Sequence, residues 1–161
     1  MTYILRTTFL AALLAFYSSL GLTAEIVGYG TPISSEQAKK AAAAAIADAK
    51  KNNLAVVVAV VDSSGTLTYL EKIDGTQLSS VETAIGKART ANNFKRPTKA
   101  LEDVVAGGRV ALLNLPNVVP LQGGLPIIVD GKIIGAIGVS GATSQQDEQA
   151  AAAGLAALGA K

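Results

Sequence analysis

The sequence predicts an α+β fold: one domain with a central, mainly antiparallel sheet flanked by helices. Three observations carry this reading. Two pairs of apolar runs are each joined by turn residues, Ser63-Ser64-Gly65 in one and Asp130-Gly131 in the other, which is a hairpin signature. Alanine-rich segments with capping residues precede, separate and follow those pairs. Helices and strands are therefore grouped, not alternating singly as in a parallel α/β chain. The length of 161 residues fits a single domain.

The elements follow in chain order. Residues 1–24 read as a signal peptide: MTYILR carries one cation, Arg6, and an apolar run from Thr7 to Phe16 ends at Tyr17-Ser18-Ser19. The run is shorter than the ~20 residues that span a bilayer. Cleavage is expected after Gly21, with Ser19 at the small −3 position, or after Ala24, with Leu22 there. The domain is then 25–161, secreted or periplasmic, with no stable membrane anchor after cleavage. Glu25 to Pro32 is a lead-in. Ser34 and Gln37 form a capping box for a helix through QAKKAAAAAIADAKKN, whose closing Lys50 and Lys51 suit the helix dipole. LAVVVAVVD, Leu54 to Asp62, is a buried central strand, and TLTYLEK, Thr66 to Lys72, pairs with it. Asp74-Gly75 makes a turn. Ser79 and Glu82 suggest a second capping box, opening a helix over SVETAIGKARTANNF. Thr98 caps a third helix, KALEDVVA, which Gly107-Gly108 ends. ALLNLPNVV is ambiguous between helix and strand. LPIIVD and IIGAIGVSG form the second hairpin, and Ser144 with Asp147 opens the last helix.

Composition excludes several functions. There is no Cys and no His, and the single Met is Met1. Disulfides, a Ser-His-Asp triad, a thiolate nucleophile and His- or Cys-built metal centres are ruled out. Acid or base work would fall to Asp, Glu, Lys or Tyr. Loss of Arg6 from the 14 basic residues leaves a charge of +1 against 12 acids, which is no footprint for nucleic acid. Tyr29, Tyr69 and Phe94 are the only aromatics after residue 24, too few for base stacking.

Three patterns stand out as candidate chemistry. Gly135, Gly138 and Gly141 recur at every third position before a helix start. A strand ending in glycines at a helix N-terminus can cradle an anion. Yet the spacing is neither G-x-G-x-x-G nor a P-loop, and glycines three apart alternate between sheet faces. Close packing of helices on the sheet is the favoured reading. Asp62 and Asp74 suit turns, while Asp147 and Glu148 suit a first helical turn. Lys87, Arg89, Lys95 and Arg96 form a basic cluster around the end of the second helix, where cations gather for structural reasons as a solvated face; four within ten residues also suggest an acidic ligand. The alanine faces Ala41 to Ala45 and Ala150 to Ala153 suggest close helix contacts between subunits, and so a homo-oligomer.

Four blocks occur in one order: VAVVDSSGTL, DGTQLSSVETAIGKARTA, FKRPTKAL and GGLPIIVDGKIIGAIGVSGATSQQDEQ. Together they resemble the GlcG/HbpS family, and also the C-terminal domain of PduO-type proteins, over roughly Ser34 to Leu158. The resemblance implies a five-stranded antiparallel sheet with flanking helices, homo-oligomers, and haem as the cofactor of extracellular members, some of them haem-degrading. The family's DG step falls on Asp74-Gly75, its K-A-x-T-A block on Lys87 to Ala91, its R-P-T block on Arg96 to Thr98, and its final loop on Gly138 to Gly141, with Asp147 following. Thr98 matches a threonine discussed as an axial ligand. Some relatives carry His or Met before the DG step, where this chain has Ile73.

The leading reading is a haem- or tetrapyrrole-binding protein. Arg96, Lys95 or Lys87 would pair with propionates, Thr98 and Asp74 would lie near the ring, and Gly138 and Gly141 would leave room for its edge. Haem iron is ordinarily held by His, Cys, Met or Tyr. Only Tyr29, in the lead-in expected to be mobile, and Tyr69, mid-strand, remain from that set. An enzyme or accessory subunit acting on a small carboxylate or corrinoid, and a haem-degrading protein, are the alternatives.

Overall fold

A computed structural model describes residues 27–160; the expected signal peptide lies outside the described residues. The chain runs β1 (Gly28–Tyr29), α1 (Ser35–Lys51), β2 (Val57–Asp62), β3 (Leu67–Lys72), α2 (Ser80–Phe94), α3 (Thr98–Ala106), a 3₁₀ turn (Val110–Asn114), β4 (Gly124–Val129), β5 (Lys132–Ser140) and α4 (Ser144–Ala157). The fold is α+β, as expected, with a five-stranded sheet. β2–β3 and β4–β5 are antiparallel hairpins, joined by antiparallel pairing of β2 with β5. The lead-in adds what the sequence did not announce: β1 pairs with β5 in parallel, so the sheet is mixed. Among the described residues no helix is long and apolar enough to cross a membrane.

The sheet is covered on both faces, which explains why β2 lacks polar alternation. Val56, Val58 and Val60 point to one side, into a core with the alanines of α1 and α4. Val57, Ala59 and Val61 point to the other side, against Ala84, Ile85, Ala88 and Ala91 of α2. The alanine faces that suggested subunit contacts are thus used within the protomer. Ala41, Ala42, Ala45, Ala150 and Ala151 are wholly buried. A Cβ at Gly154 of α4 would stand 2.9 Å from the Ala41 carbonyl oxygen, so α1 and α4 cross almost backbone to backbone.

Local signals explain most boundaries. Ser34 and Gln37 make the expected capping box, with Gln37 N–H donating to Ser34 Oγ at 3.2 Å and Ser34 N–H to Gln37 Oε1 at 3.0 Å. Asp130 and Gly131 both hold positive φ, 50° and 72°, as a two-residue hairpin turn needs. Asp62 closes the other hairpin: its Oδ1 accepts from Ser64 N–H, Ser64 Oγ and Thr66 N–H at 2.8, 2.6 and 3.0 Å.

Three expected caps differ. Ser79 is already helical (φ −62°, ψ −21°), so its hydroxyl cannot turn back onto the first amides, and no capping box with Glu82 forms. Ser80 N–H instead bonds Gln77 O through a tight turn. Pro97, not Thr98, occupies the cap position of α3. The last helix is capped one residue earlier than expected, by Thr143 in a box with Gln146.

The glycines of β5 answer their spacing. A Cβ at Gly138 would fall 2.2 Å from the Ala84 carbonyl oxygen and 2.6 Å from the Ala88 nitrogen. Gly138 therefore lets the α2 backbone rest directly on the sheet. Gly135 serves the opposite face, where a Cβ would press on Val61 O and on Ile33. Substitution Gly138→Ala should cost about 3 kcal/mol or more, at the upper end for overpacking, because backbone rather than a side chain must yield. Gly28→Ala, with nothing within 4 Å, should be near neutral. Urea unfolding of the two variants checks this.

Asp62 also predicts an acid dependence. Burial raises its carboxyl, but the bonds from Ser64, Thr66 and Gly65 outweigh this and leave it below the ordinary range. A depressed folded pKa contributes stability above the unfolded value that is lost as pH falls through the folded one. The stability gap between wild type and Asp62→Asn should therefore be widest near neutrality and close on acidification, read by urea midpoints across pH.

Candidate functional site

Several residues singled out from the sequence do meet, but inside the molecule. Lys87 lies mid-α2 and points between β5 and the start of α4. Its Nζ donates to Asp147 Oδ2 at 2.8 Å and to Val139 O at 2.9 Å. Asp147 Oδ1 accepts from Ala142 N–H at 3.0 Å. Both side chains are 3% exposed. Burial pushes the Asp147 carboxyl above its ordinary pKa, and the pull of Lys87 and the Ala142 N–H does not fully offset it.

Two glycines absent from the expected set complete this node. A Cβ at Gly123 (φ 118°) would stand 2.8 Å from Asp147 Cβ and 2.9 Å from Lys87 Nζ, and one at Gly124 would stand 2.5 Å from Lys87 O. Thr98 closes the other side. Wholly buried, its hydroxyl donates to Leu121 O at 2.6 Å and accepts from Gly124 N–H at 2.9 Å. Gly138 is the sheet partner of Gly124. Gly141 (φ 149°) lies just beyond, with Ala55 O where a Cβ would sit. Thr98, Lys87, Gly138 and Gly141 are thus engaged in packing and internal hydrogen bonds.

The remaining basic residues separate. Lys95 adopts the left-handed conformation at the end of α2, donates to Val27 O at 2.9 Å and lies 4.4 Å from the Tyr29 ring centre. Tyr29 is fixed rather than mobile: it belongs to β1 and its hydroxyl donates to Asn92 O at 2.9 Å. Arg96 is exposed and its Nε donates to Phe94 O. Asp74 sits exposed in the β3–α2 turn. Arg89 is exposed on the outer face of α2, with its Nε donating to Gly65 O at 3.2 Å. Among the described residues no cluster of three or more His, Cys, Asp or Glu could hold a metal ion.

The surface feature with ligand-like chemistry lies where the sequence showed no period. A groove of about 460 Å³ is lined by Glu102, Val105, Ala106, Leu113, Val118, Val119, Pro120 and Leu121. A second cavity of about 390 Å³ adjoins it, walled by Leu113, Val118 and Val119 again and by Ile85, Gly86, Glu82 and Arg89 of α2. Both fall in the ~300–1,000 Å³ range of small-molecule sites; the groove has the mostly apolar lining usual for such sites, while the adjoining cavity is more polar. The available signal was compositional: ALLNLPNVVPLQ is apolar yet irregular, between Gly107-Gly108 and Gly123-Gly124.

The Lys87–Asp147 pair makes a separable prediction. Removing one partner strands a buried charge, so Lys87→Met or Asp147→Leu alone should destabilise by about 3–5 kcal/mol. The double variant should recover most of that loss. A double-mutant cycle by urea unfolding reads it; additive losses would mean that the two charges do not act as a pair.

Known proteins share this architecture. Residues 33–156 match the family model described as haem degrading protein HbpS-like. The Escherichia coli K12 protein GlcG is 42% identical over 83 residues, covering 52% of this chain and 62% of GlcG, so the match spans less than two thirds of that relative. The crystal structure of a double mutant of HbpS from Streptomyces reticuli superposes with a TM-score of 0.75 at 37% identity, covering 82% of this chain and 90% of that one. A PduOC:heme complex gives 0.74 at 33% identity, covering 81% and 98%. With a family model covering most of its length and the same fold in relatives above 30% identity, this chain belongs to the HbpS-like family.

Proposed function

We propose that this protein binds haem or a related tetrapyrrole in the groove between α3 and the 113–121 segment, with a propionate directed to Arg89. The observation that carries the reading is an apolar groove beside a more polar cavity that shares Leu113, Val118 and Val119 with it and has Arg89 on its own wall. Family membership and the PduOC:heme complex support haem as the ligand. The residues present suit the ring better than the metal. Val105, Ala106, Leu113, Val118, Val119 and Leu121 would cover a flat apolar face. Glu102, at the far end, would turn the acidic edge towards Arg89.

Bound haem would supply iron redox chemistry, and the described residues include no His, Cys or Met to ligate the iron. Both tyrosines among the described residues, Tyr29 and Tyr69, are committed elsewhere. Burial holds the Tyr29 phenol above its ordinary pKa. Burial, the bond to Glu71 and the Glu71 charge do the same for Tyr69. The Thr98 hydroxyl already has its donor and acceptor partners. Binding would rest on ring burial and on the guanidinium. The reading includes export, directed by the apolar N-terminal segment, and assembly into a homo-oligomer through surfaces other than the alanine faces. Leu78, 87% exposed, marks one surface free for such contacts within the protomer.

Haem titration followed by absorbance tests the reading. Arg89→Ala should weaken binding by about ten-fold or more, the loss of one charge-assisted hydrogen bond. Arg96→Ala should change little. The ferric complex should be high-spin, and the iron-free ring should bind within a few-fold of haem. A low-spin spectrum with two nitrogen ligands, or no saturable binding at micromolar haem, would overturn the proposal.

A further inference from the structure

The wall that divides the two cavities is a strap of chain between α3 and β4. The chain leaves α3 at Gly107-Gly108, where Gly108 holds φ 96°, and turns back at Asn117, φ 60°. Between them lies the 3₁₀ turn Val110–Asn114, which buries no residue. Its backbone bonds stay local: Val110 N–H to Gly108 O, Leu112 N–H to Arg109 O and Leu115 N–H to Leu112 O. Val110, Leu113 and Leu115 are 60%, 54% and 45% exposed, so apolar side chains line the strap without a core beneath them.

The strap is fastened at its far end. Val119 drops into a notch on α2 where a Cβ at Gly86 would stand 2.4 Å from Val119 Cγ2 and 3.3 Å from its Cβ. Thr90, one turn along the same helix and almost wholly buried, accepts from Val119 N–H at 2.9 Å. Just past this point Leu121 and Gln122 are tied to Thr98 and Glu102. The fastening therefore lies at Val119, between a loosely held strap and a firmly held strand start. Leu113, Val118 and Val119 wall both cavities, so lifting them joins the two spaces into one groove running from Arg89 to Glu102.

We propose that Val119 seated against Gly86 is a latch: the strap, carrying Val118 and Val119 with it, swings on Gly107-Gly108, and its release opens one continuous groove to flat amphiphilic anions. The proposal takes haem as the natural ligand from the reading above, while the latch itself can be tested without haem. Gly86→Ala is the discriminating variant. Alanine favours the interior of α2 over glycine, so the helix is retained, while the added methyl excludes Val119 from its notch. Thr90→Val, which removes the acceptor of the Val119 amide, is the second variant should the first fold poorly.

Three measurements on the full chain decide it. Hydrogen exchange at the Val119 amide should accelerate by at least about ten-fold in the variants, since the opening is local. Fluorescence of anilinonaphthalene sulfonate, a flat aromatic anion, should rise several-fold. Haem association by stopped flow should quicken several-fold. Unchanged Val119 exchange in a normally folded Gly86→Ala protein would overturn the latch. Faster exchange with no change in either ligand would overturn its role as a gate. A rise in the dye signal with no haem binding to any form would keep the latch and refute the haem reading instead.

Discussion

The approach of α2 to the sheet is the constraint on which the rest of the structure depends. Ala84 and Ala88 meet Gly138 with no side chain between them, so helix backbone lies on strand backbone. At that separation little apolar area is available per residue, and stability rests on dense contact rather than on large side chains. The same closeness brings Lys87 within reach of Asp147 and Val139 O, and places Gly124 against Lys87 O. A bulkier residue at Gly138 would lift the helix and open the ion pair together. The inner face of α2 is thereby spent on the fold. Its other side, carrying Glu82, Gly86 and Arg89 at successive turns, is left to line a cavity.

The fold was legible in the sequence where one local signal fixed one element. Val57 to Val61 could only be a strand buried on both sides, Asp130-Gly131 could only turn tightly, and Ser34 with Gln37 marked a helix start. The misses share a physical cause. Ser79 and Thr98 are good capping residues by type, but capping requires an extended backbone at that position. Approach turns set by residues before them decided otherwise. β1 has two residues and owes its existence to an edge of β5, which no local pattern reveals.

The site was less legible because charge proximity along the chain is not proximity in space. Lys87 and Arg89 are two residues apart on a helix of 3.6 residues per turn, so they point to opposite sides. One meets Asp147, sixty residues away, inside the protein. The other reaches the β2–β3 hairpin. Lys95 and Arg96 follow the left-handed turn that ends the helix and diverge again. The expected cluster is four cations with four different environments, and of the four Arg89 lines the cavity that adjoins the apolar groove. Thr98 was read as a helix cap and, from the family resemblance, as a ligand position; in the fold its oxygen ties the start of β4 to α3.

The absence of His and Cys shapes what the groove can achieve. A tetrapyrrole held by a strong axial ligand can tolerate a shallow pocket, because the metal bond supplies much of the affinity. Without one, affinity scales with apolar area removed from water, at about 25 cal/mol per Å². That makes continuity of the groove matter more here than it would beside a histidine. A wall of Leu113, Val118 and Val119 between the two cavities limits the area that a rigid ring can bury. A closed strap protects those apolar surfaces when no ligand is present, at the cost of lowering apparent affinity by the fraction of molecules that are open. The glycine at position 86 sets that balance: it gives up helix propensity in α2 to make room for Val119, an exchange that favours the closed state without locking it.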